Sequence, residues 1–228
     1  MTLRAVVMAA GLGTRLRPLT DEVAKPVLPI DGSPVLATLL RELAAAGIGE
    51  ATVVTGHLAE QVERLVGDGS AFGRTVWTVR QPTPDGSGDA VRVAGLDPPY
   101  LVTAADTVFR PGDVGLVLDA FVAEGSRAGA IAVRRGGREA IEVEDGHVVR
   151  VLAAGAPTGW TGAPLWAVGA AVHERLCLDR KPYELGRAFQ RAIDDGHEIA
   201  AVPIGGTRDL TRPLDVLEEN FPYLRTIT

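Results

Sequence analysis

The chain has 228 residues, of which 46% are hydrophobic, and its formal net charge at pH 7 is −6. This composition indicates a globular core and excludes a largely disordered chain, and the acidic balance argues against a general nucleic-acid binder, which usually has a basic face. No apolar run is long enough to span a membrane, the N-terminus does not have the pattern of a signal peptide, and a single cysteine, Cys177, excludes an intrachain disulfide. We therefore expect a cytoplasmic protein with no nucleic-acid or membrane partner.

The first half of the chain alternates between predicted strands and helices. The predicted strands are RAVVMAAG, ATVVTG, RTVWTVRQ and YLVTAAD, and the helices between them are DGSPVLATLLRELAAAG, LAEQVERLVG and DAVRVAGL. In the first helix Ser33 is the expected N-cap, Pro34 suits the first turn and Gly47 suits the end. This alternation is typical of a doubly wound parallel sheet.

The second half is less regular. AGAIAVRR, AIEVEDGHVVRV, APLWAVG and EIAAVPIG are predicted strands, with a hairpin turn at Asp145-Gly146. YELGRAFQRAIDDG and RPLDVLEEN are predicted helices. Because there is no repeat and no low-complexity linker, we expect one α/β domain with a Rossmann-like, doubly wound, mostly parallel sheet in three α/β/α layers.

The segment MAAGLGTRLRPLT, residues 8 to 20, follows the first strand as a glycine-rich loop. Backbone N–H groups exposed by glycines at such a position can point at phosphate oxygens. A dinucleotide fingerprint would need a third glycine where Leu16 stands, and a P-loop would need Gly-Lys-Ser/Thr, which is absent. Arg15, Arg17 and the later Lys25 can together neutralise a triphosphate, although Arg17 is equally consistent with a solvated loop cation.

Four segments resemble the signature sequences of the sugar-1-phosphate nucleotidyltransferases, a family that includes thymidylyl-, guanylyl- and uridylyltransferases. They are AAGLGTRLRPLT…KPVLPI, QPTPDGSGDAV, YLVTAAD and TRDLTRPLDVLEEN. The resemblance implies a single catalytic domain of GT-A-like fold over residues 1–228, with no separate C-terminal domain. It also implies a reaction, in which a sugar-phosphate oxygen attacks the α-phosphorus of a nucleoside triphosphate (NTP) in line and pyrophosphate leaves.

The resemblance further implies a role for individual residues. Arg15 would be catalytic by holding the departing pyrophosphate, and Lys25 by stabilising charge at the α-phosphate. Asp106 and Asp209 would bind Mg²⁺, which prefers one or two carboxylates together with phosphate oxygens and water. The nucleotide-binding residues would be Ala9, Ala10, Gly11, Gly13, Thr14, Gln81 and Gly86. The four histidines are scattered, without the spacing of metal ligands.

Gln81 and Gly86 would contact the base. A glutamine amide offers both a donor and an acceptor, which suits a pyrimidine edge, and Gly86 would let the ring approach the backbone closely. We therefore expect a pyrimidine triphosphate, dTTP or UTP, as one substrate and a phosphorylated small molecule as its acceptor.

The acceptor side departs from the family pattern. Many relatives bind the sugar phosphate with a lysine in a Glu-Lys-Pro motif, but the corresponding segment here, HVVRVLAAGAPTGW, has no lysine. Lys181 is the one lysine besides Lys25, and we expect it to be a solvated loop residue. Candidates for contacting the acceptor instead are Arg134, Arg135, Arg150, Trp160 and Trp166, of which Trp166 is expected in the core.

Two further hypotheses stay open. The missing lysine is compatible with a cytidylyltransferase that uses CTP to activate phosphocholine, another phosphorylated alcohol or a phosphonate. The third hypothesis is a non-catalytic nucleotide sensor that kept only the NTP half of the site. Such a binder has less need of both carboxylates, Asp106 and Asp209, which argues against it.

Overall fold

The computed structural model of the protein describes residues 3–123, 128–136, 141–151, 159–176 and 179–221. Cys177, and residues 152–158 of the segment without lysine, lie outside this description. The strands are β1 (Arg4–Ala9), β2 (Pro29–Ile30), β3 (Ser33–Pro34), β4 (Glu50–Thr55), β5 (Thr75–Arg80), β6 (Tyr100–Ala104), β7 (Thr107–Val108), β8 (Gly129–Arg135), β9 (Glu142–Glu144), β10 (His147–Arg150), β11 (Trp160–Val168), β12 (Ile199–Pro203) and β13 (Arg208–Asp209). The helices are α1 (Leu19–Glu22), α2 (Val35–Ala45), α3 (Ala59–Val66), α4 (Ser87–Ala94), α5 (Asp113–Val122), α6 (Ala170–His173), α7 (Leu185–Asp194) and α8 (Pro213–Asn220).

A nine-stranded sheet in the order β5-β4-β1-β6-β11-β8-β12-β10-β9 forms the centre of the described structure. All of its strands run in one direction except β11 and β10, which lie antiparallel to their neighbours. β1 lies inside the sheet, where Arg4 is opposite both Glu50 of β4 and Tyr100 of β6. The sheet is therefore the doubly wound, mostly parallel sheet that the sequence predicts.

Helices pack on both faces of the sheet and complete the three layers. On one face α2, α3 and α5 cover a core that includes Leu40 and Val117. On the other face α4, α6 and α7 cover a core that includes Val91 and Phe189. Because both faces are covered, β1 and β6 consist of continuous apolar runs rather than alternating residues.

The start of α2 differs from the sequence prediction. Ser33 does not cap the helix, which begins only at Val35. Instead Ser33 pairs with Ile30 in the small β2–β3 hairpin, whose turn residues Asp31 and Gly32 have positive φ. The Asp-Gly pair was an available hairpin signal, and the tight turn takes Ser33 into an extended conformation. At the other end of the helix, Gly47 follows the last turn with a φ of 83°, as expected.

Helix α5 is an element that the sequence analysis did not predict. Its sequence, DVGLVLDAFV, is apolar on most sides and carries Gly115 in its interior, so it lacks a clear amphipathic period. Leu116 is half exposed on its surface.

The hairpin at Asp145-Gly146 is confirmed, because it joins β9 to β10 and both residues have positive φ.

The closing segment of the chain returns to the start of the fold. The side-chain amide of Asn220, at the end of α8, donates to the carbonyl of Pro29 and accepts from the amide of Gly32, both at 2.8 Å. Arg208 of β13 forms ion pairs with Asp31 and with Glu219 of α8. These contacts hold β13 beside β7, the strand that follows the carboxyl end of β6 in the chain.

Candidate active site

A cavity of about 260 Å³ opens at the carboxyl ends of β1 and β6. This edge of a parallel sheet is where doubly wound folds bind ligands. Its lining residues are Met8, Ala9, Gly11, Gly13, Thr14, Arg15, Leu16, Lys25, Pro26, Ala104, Asp106 and Leu210. The fold thus brings most of the residues expected to bind the triphosphate and the metal into one cavity.

The glycine-rich loop has a fixed shape around Gly13. Gly13 has a left-handed φ of 63°, and its carbonyl accepts hydrogen bonds from the Thr20 hydroxyl at 2.9 Å and from the Leu16 amide at 2.8 Å. A Cβ on Gly13 would lie 2.9 Å from Cγ2 of Thr20, so both the backbone conformation and the packing select glycine. A Cβ on Gly11, in contrast, would meet none of the described residues within 4 Å other than its two neighbours in the chain. The loop is therefore anchored at Gly13 and open at Gly11.

Helix α3 and the residues before it support this loop from behind. Nε2 of His57 lies 2.7 Å from the Thr20 carbonyl and donates to it. The Gln61 side chain accepts from the Ala24 amide at 2.9 Å and donates to the Glu22 carbonyl at 2.7 Å. Sequence reasoning missed both residues. The position of His57, directly after the carboxyl end of β4, was the signal that could have identified it.

Lys25 and Asp106 form the charged centre of the cavity. Nζ of Lys25 donates to Oδ2 of Asp106 at 2.5 Å, and the two side chains are 12% and 32% exposed. Lys25 begins a short 3-10 turn whose preceding residue is held by Gln61, and Asp106 follows β6. A charge-assisted bond of this kind offsets the charges of both groups.

Asp209 lies near this centre but does not line the cavity. It is opposite Thr107, the residue after Asp106, in the β7–β13 pair, so the fold brings together two backbone positions that are 102 residues apart in the sequence. The Asp209 carboxylate accepts from the Thr211 hydroxyl at 2.9 Å, and it is Leu210 that reaches the cavity wall. In the described ranges no three His, Cys, Asp or Glu side chains cluster as metal ligands.

The two arginines of the loop differ in their surroundings. Arg17 pairs with Asp21 one turn later at 3.0 Å, and both side chains are more than half exposed. An exposed pair of this kind contributes little to stability. Arg15 lines the cavity and is exposed, and no salt bridge to it occurs within the part of the chain that the structure describes. Of the two arginines, Arg15 is therefore the one placed to meet a ligand.

A second cavity, of about 340 Å³, adjoins the first across the glycine-rich loop. It is lined by Ala10, Leu12, Gly56, His57, Arg80, Gln81, Pro82 and Pro84. Gln81 directly follows β5, its backbone amide donates to the Thr55 carbonyl at 2.8 Å, and the residue is 4% exposed. The first cavity thus contains residues expected to bind the triphosphate, and the second contains Gln81, which is expected to contact the base.

The structure gives Gly86 a packing role. A Cβ at this position would lie 2.6 Å from the backbone of Tyr183, in the segment before α7. That segment is tied to the loop by a hydrogen bond from the Tyr183 amide to the Asp85 carbonyl at 2.8 Å. The close approach at Gly86 is therefore made by protein backbone, and its contact with a base stays a prediction.

A family model for nucleotidyl transferases matches residues 4–140. The chain belongs to the nucleotidyl transferase family. Glucose-1-phosphate thymidylyltransferase of Streptomyces antibioticus is 31% identical over 99% of this chain and 67% of its own length. CMP-5′-(3-aminopropyl)phosphonate synthase of Streptomyces rubellomurinus is 36% identical over 83% of this chain, which matches 29% of that protein. The chain thus spans about two thirds of the first relative and under a third of the second.

Solved structures confirm the fold of this family member. UDP-glucose pyrophosphorylase from Acinetobacter baumannii superposes with a TM-score of 0.82 over 100% of this chain and 99% of its own, at 19% identity. The GT-A-like nucleotidyltransferase fold predicted from the sequence is therefore correct. In the described residues no helix has both the length and the apolar character needed to cross a membrane.

Two of the residues predicted to contact the acceptor, Arg135 and Trp160, lie against each other. At the carboxyl end of β8 the Arg135 guanidinium lies 3.7 Å from the centroid of the Trp160 ring, which begins β11. Trp160 packs with the core on the same sheet face as Met8, a residue of the first cavity. Arg150 instead pairs with Glu142 at 3.5 Å.

The remaining acceptor candidates have other surroundings. Nε of Arg134 is buried and has no hydrogen-bond partner among the described residues. Trp166 packs partly buried against the core, as expected. Lys181 is exposed, as expected, but it is also tied to Asp85 at 2.7 Å, and this carboxylate raises the pKa of the lysine.

Proposed function

We propose that this chain transfers a nucleotidyl group from a pyrimidine triphosphate to a sugar 1-phosphate, releasing pyrophosphate. The observation that carries the proposal is the first cavity, where the glycine-rich loop, Arg15 and the Lys25–Asp106 pair meet at the carboxyl edge of β1 and β6. Both substrates are anions. The main chemical task is therefore neutralisation and alignment rather than proton transfer.

The loop supplies the binding groups for the triphosphate. Backbone amides of Gly11, Gly13 and Thr14 cradle the β- and γ-phosphates, and the space beside Gly11, where a Cβ would meet no non-neighbouring atom of the described residues within 4 Å, leaves room for that approach. Arg15 holds the departing pyrophosphate, because guanidinium donors match two phosphate oxygens at once.

Lys25 and Asp106 change partners when the nucleotide binds. Lys25 leaves the Asp106 carboxylate and turns its ammonium to the α-phosphate, where negative charge increases in the transition state. The ion pair with Asp106 holds the ammonium of Lys25 at the cavity before the exchange and offsets its charge. Asp106 is thereby released for another cation.

A divalent ion, Mg²⁺, fits the carboxylates at this edge. Asp106 and Asp209 would hold it. The β7–β13 pairing, which places Asp209 opposite the neighbour of Asp106, supports this, and two carboxylates completed by phosphate oxygens and water form a usual magnesium donor set. When bound, the ion would supply charge neutralisation between the phosphates. Lys25 and Arg15 do the remaining neutralisation from the protein side.

The base lies in the second cavity, against Gln81, and we propose dTTP or UTP as the preferred nucleotide. The acceptor phosphate approaches from the β8–β11 side, where the Arg135 guanidinium lies over the Trp160 ring. A stacked guanidinium retains its outward donors for an anion. It thereby compensates for the lysine that this chain lacks.

A second candidate keeps the chemistry and changes both substrates. The cytidylyl group of CTP would be transferred to a phosphonate or to another non-sugar phosphate with release of pyrophosphate, a hypothesis favoured by the similarity to the CMP-5′-(3-aminopropyl)phosphonate synthase. The missing acceptor lysine is consistent with this reading as well. The third hypothesis, a sensor without catalysis, does not account for the maintained pair of Lys25 with Asp106.

A pyrophosphate-release screen separates these candidates. The purified chain is assayed in magnesium with each of four NTPs against glucose 1-phosphate, phosphocholine and 2-aminoethylphosphonate, with acceptor-free reactions as controls. We expect release only when dTTP or UTP and the sugar phosphate are both present. Release that occurs only with CTP and a phosphonate would favour the second candidate. Tight NTP binding with no release under any condition would favour the sensor.

A further inference from the structure

The amide of Gln81 has one end occupied inside the protein. Its Nε2 donates to Oδ2 of Asp89 at 2.7 Å and, more weakly, to the carbonyl of Gly86 at 3.4 Å. Oε1 has no hydrogen-bond partner among the described residues, and it is not one of the enclosed, unpaired polar atoms found in that part of the chain. The free end of a side chain that lines the second cavity is therefore an acceptor.

Asp89 fixes this orientation because it can only accept. It lies in the first turn of α4, is 7% exposed, and its other oxygen accepts from Nη2 and Nε of Arg92 at 2.9 and 3.2 Å. Burial raises the pKa of Asp89, but the hydrogen bonds from Gln81 and Arg92 outweigh this effect and hold it below the usual value. An ionised carboxylate has no proton to give, so the NH₂ group of Gln81 must face it.

We propose that Asp89 is a positioning residue that sets base selectivity by turning Oε1 of Gln81 toward the base cavity. The inference rests on the proposed function. Uracil and thymine present an N3–H donor at their pairing edge, whereas cytosine presents a bare N3 acceptor there. An acceptor in the site therefore favours UTP and dTTP and opposes CTP, because two acceptors facing each other leave both unpaired.

The substitution Asp89→Asn tests this polarity with almost no change of shape. An asparagine NH₂ at position 89 can donate to Oε1 of Gln81, which lets the glutamine amide turn over and present its own NH₂ to the base. Dissociation constants for UTP, dTTP, CTP and GTP are measured by calorimetry without acceptor. The matched control is Asp97→Asn, the same chemical change at an exposed residue just beyond α4.

For the unchanged chain we expect UTP and dTTP to bind about tenfold or more tighter than CTP. Asp89→Asn should reduce this ratio about tenfold, and Asp97→Asn should leave it unchanged. Equal binding of CTP and UTP by the unchanged chain, preference for GTP, or an unaltered ratio in folded Asp89→Asn would overturn the proposal.

Gln81→Met keeps the test decisive where Asp89→Asn folds poorly. Methionine matches glutamine in length and offers no strong acceptor, so the UTP-to-CTP ratio should collapse, and adding Asp89→Asn should change it no further. A ratio that persists in Gln81→Met would also overturn the proposal. If Asp89→Asn lowers the preference for UTP over CTP but no reaction releases pyrophosphate, the proposed function is refuted and this inference stands.

Discussion

At the scale of single residues, the candidate site depends on a few charges placed by an otherwise apolar scaffold. Lys25 is largely enclosed, whereas Arg15 is exposed on the cavity rim. Each lies in a loop that other side chains hold in place. Before Lys25, for example, the amide of Ala24 donates a hydrogen bond to the Gln61 side chain. Truncating either cation should therefore affect chemistry more than folding.

We expect Lys25→Ala and Arg15→Ala each to lower kcat/KM for nucleotidyl transfer on the order of 10²-fold, because each removes a charge aimed at the phosphates. Melting temperatures should stay within a few degrees of the unchanged chain. The matched control is Arg17→Ala, whose partner Asp21 lies on the surface, and it should keep near-full activity. A variant that melts far lower while its folded fraction turns over normally would show that the residue is structural.

At the scale of elements, two helices offer contrasting tests of what maintains the fold. Helix α7 buries Phe189 completely beneath the sheet, whereas α8 exposes nearly half of Leu217. Phe189→Ala should lower the free energy of unfolding by about 3–5 kcal/mol through lost transfer energy and a cavity. Leu217→Ala should lower it by less than about 1 kcal/mol. Urea unfolding measures both, and equal losses would contradict the packing described for α7.

The start of α8 makes a prediction about pH. Burial raises the pKa of Asp215, but hydrogen bonds from the amides of Arg212 and Thr211 and from the Arg212 side chain outweigh it and lower the pKa below the usual value. The carboxylate therefore contributes stability that is present above its unfolded pKa of about 3.9 and is lost as pH falls through the lower folded value. Between pH 6 and pH 3 the unchanged chain should lose more stability than Asp215→Asn. Parallel stability curves for the two proteins would exclude this contribution.

At the scale of the whole molecule, local patterns predicted most of the framework and long-range contacts supplied the rest. Apolar runs predicted β1 and β6, and helical periodicity predicted α7. The pattern failed at α5, which is apolar on most sides, and at Ser33, where the β2–β3 turn replaced a helix cap. Local signals compete with tertiary packing, and at these points packing prevailed.

In the candidate site, too, some features could be predicted from local sequence and others depend on long-range contacts. The glycine-rich loop, Lys25 and Asp106 were identifiable because family signatures are continuous in sequence. His57 and the Asp89–Gln81 bond were not identified, because their roles depend on which atoms the fold brings together. For Gly86 the structure supplies a packing reason that local sequence could not show.

The chain as a whole is acidic, with a formal net charge of −6, yet its proposed substrates are anions. Binding must therefore depend on local cations at the cavity rather than on long-range attraction. The central claim is that this cavity joins a nucleotide to a phosphorylated acceptor, with Asp106 at its centre.

The most direct test is product analysis by mass spectrometry of the reaction of UTP or dTTP with glucose 1-phosphate in magnesium. We predict a nucleotide-sugar formed in equal amount to pyrophosphate, a rate lowered on the order of 10²-fold or more in Asp106→Asn, and a nearly unchanged rate in the control Asp97→Asn. A full rate in Asp106→Asn, or pyrophosphate release without any nucleotide-sugar, would contradict it.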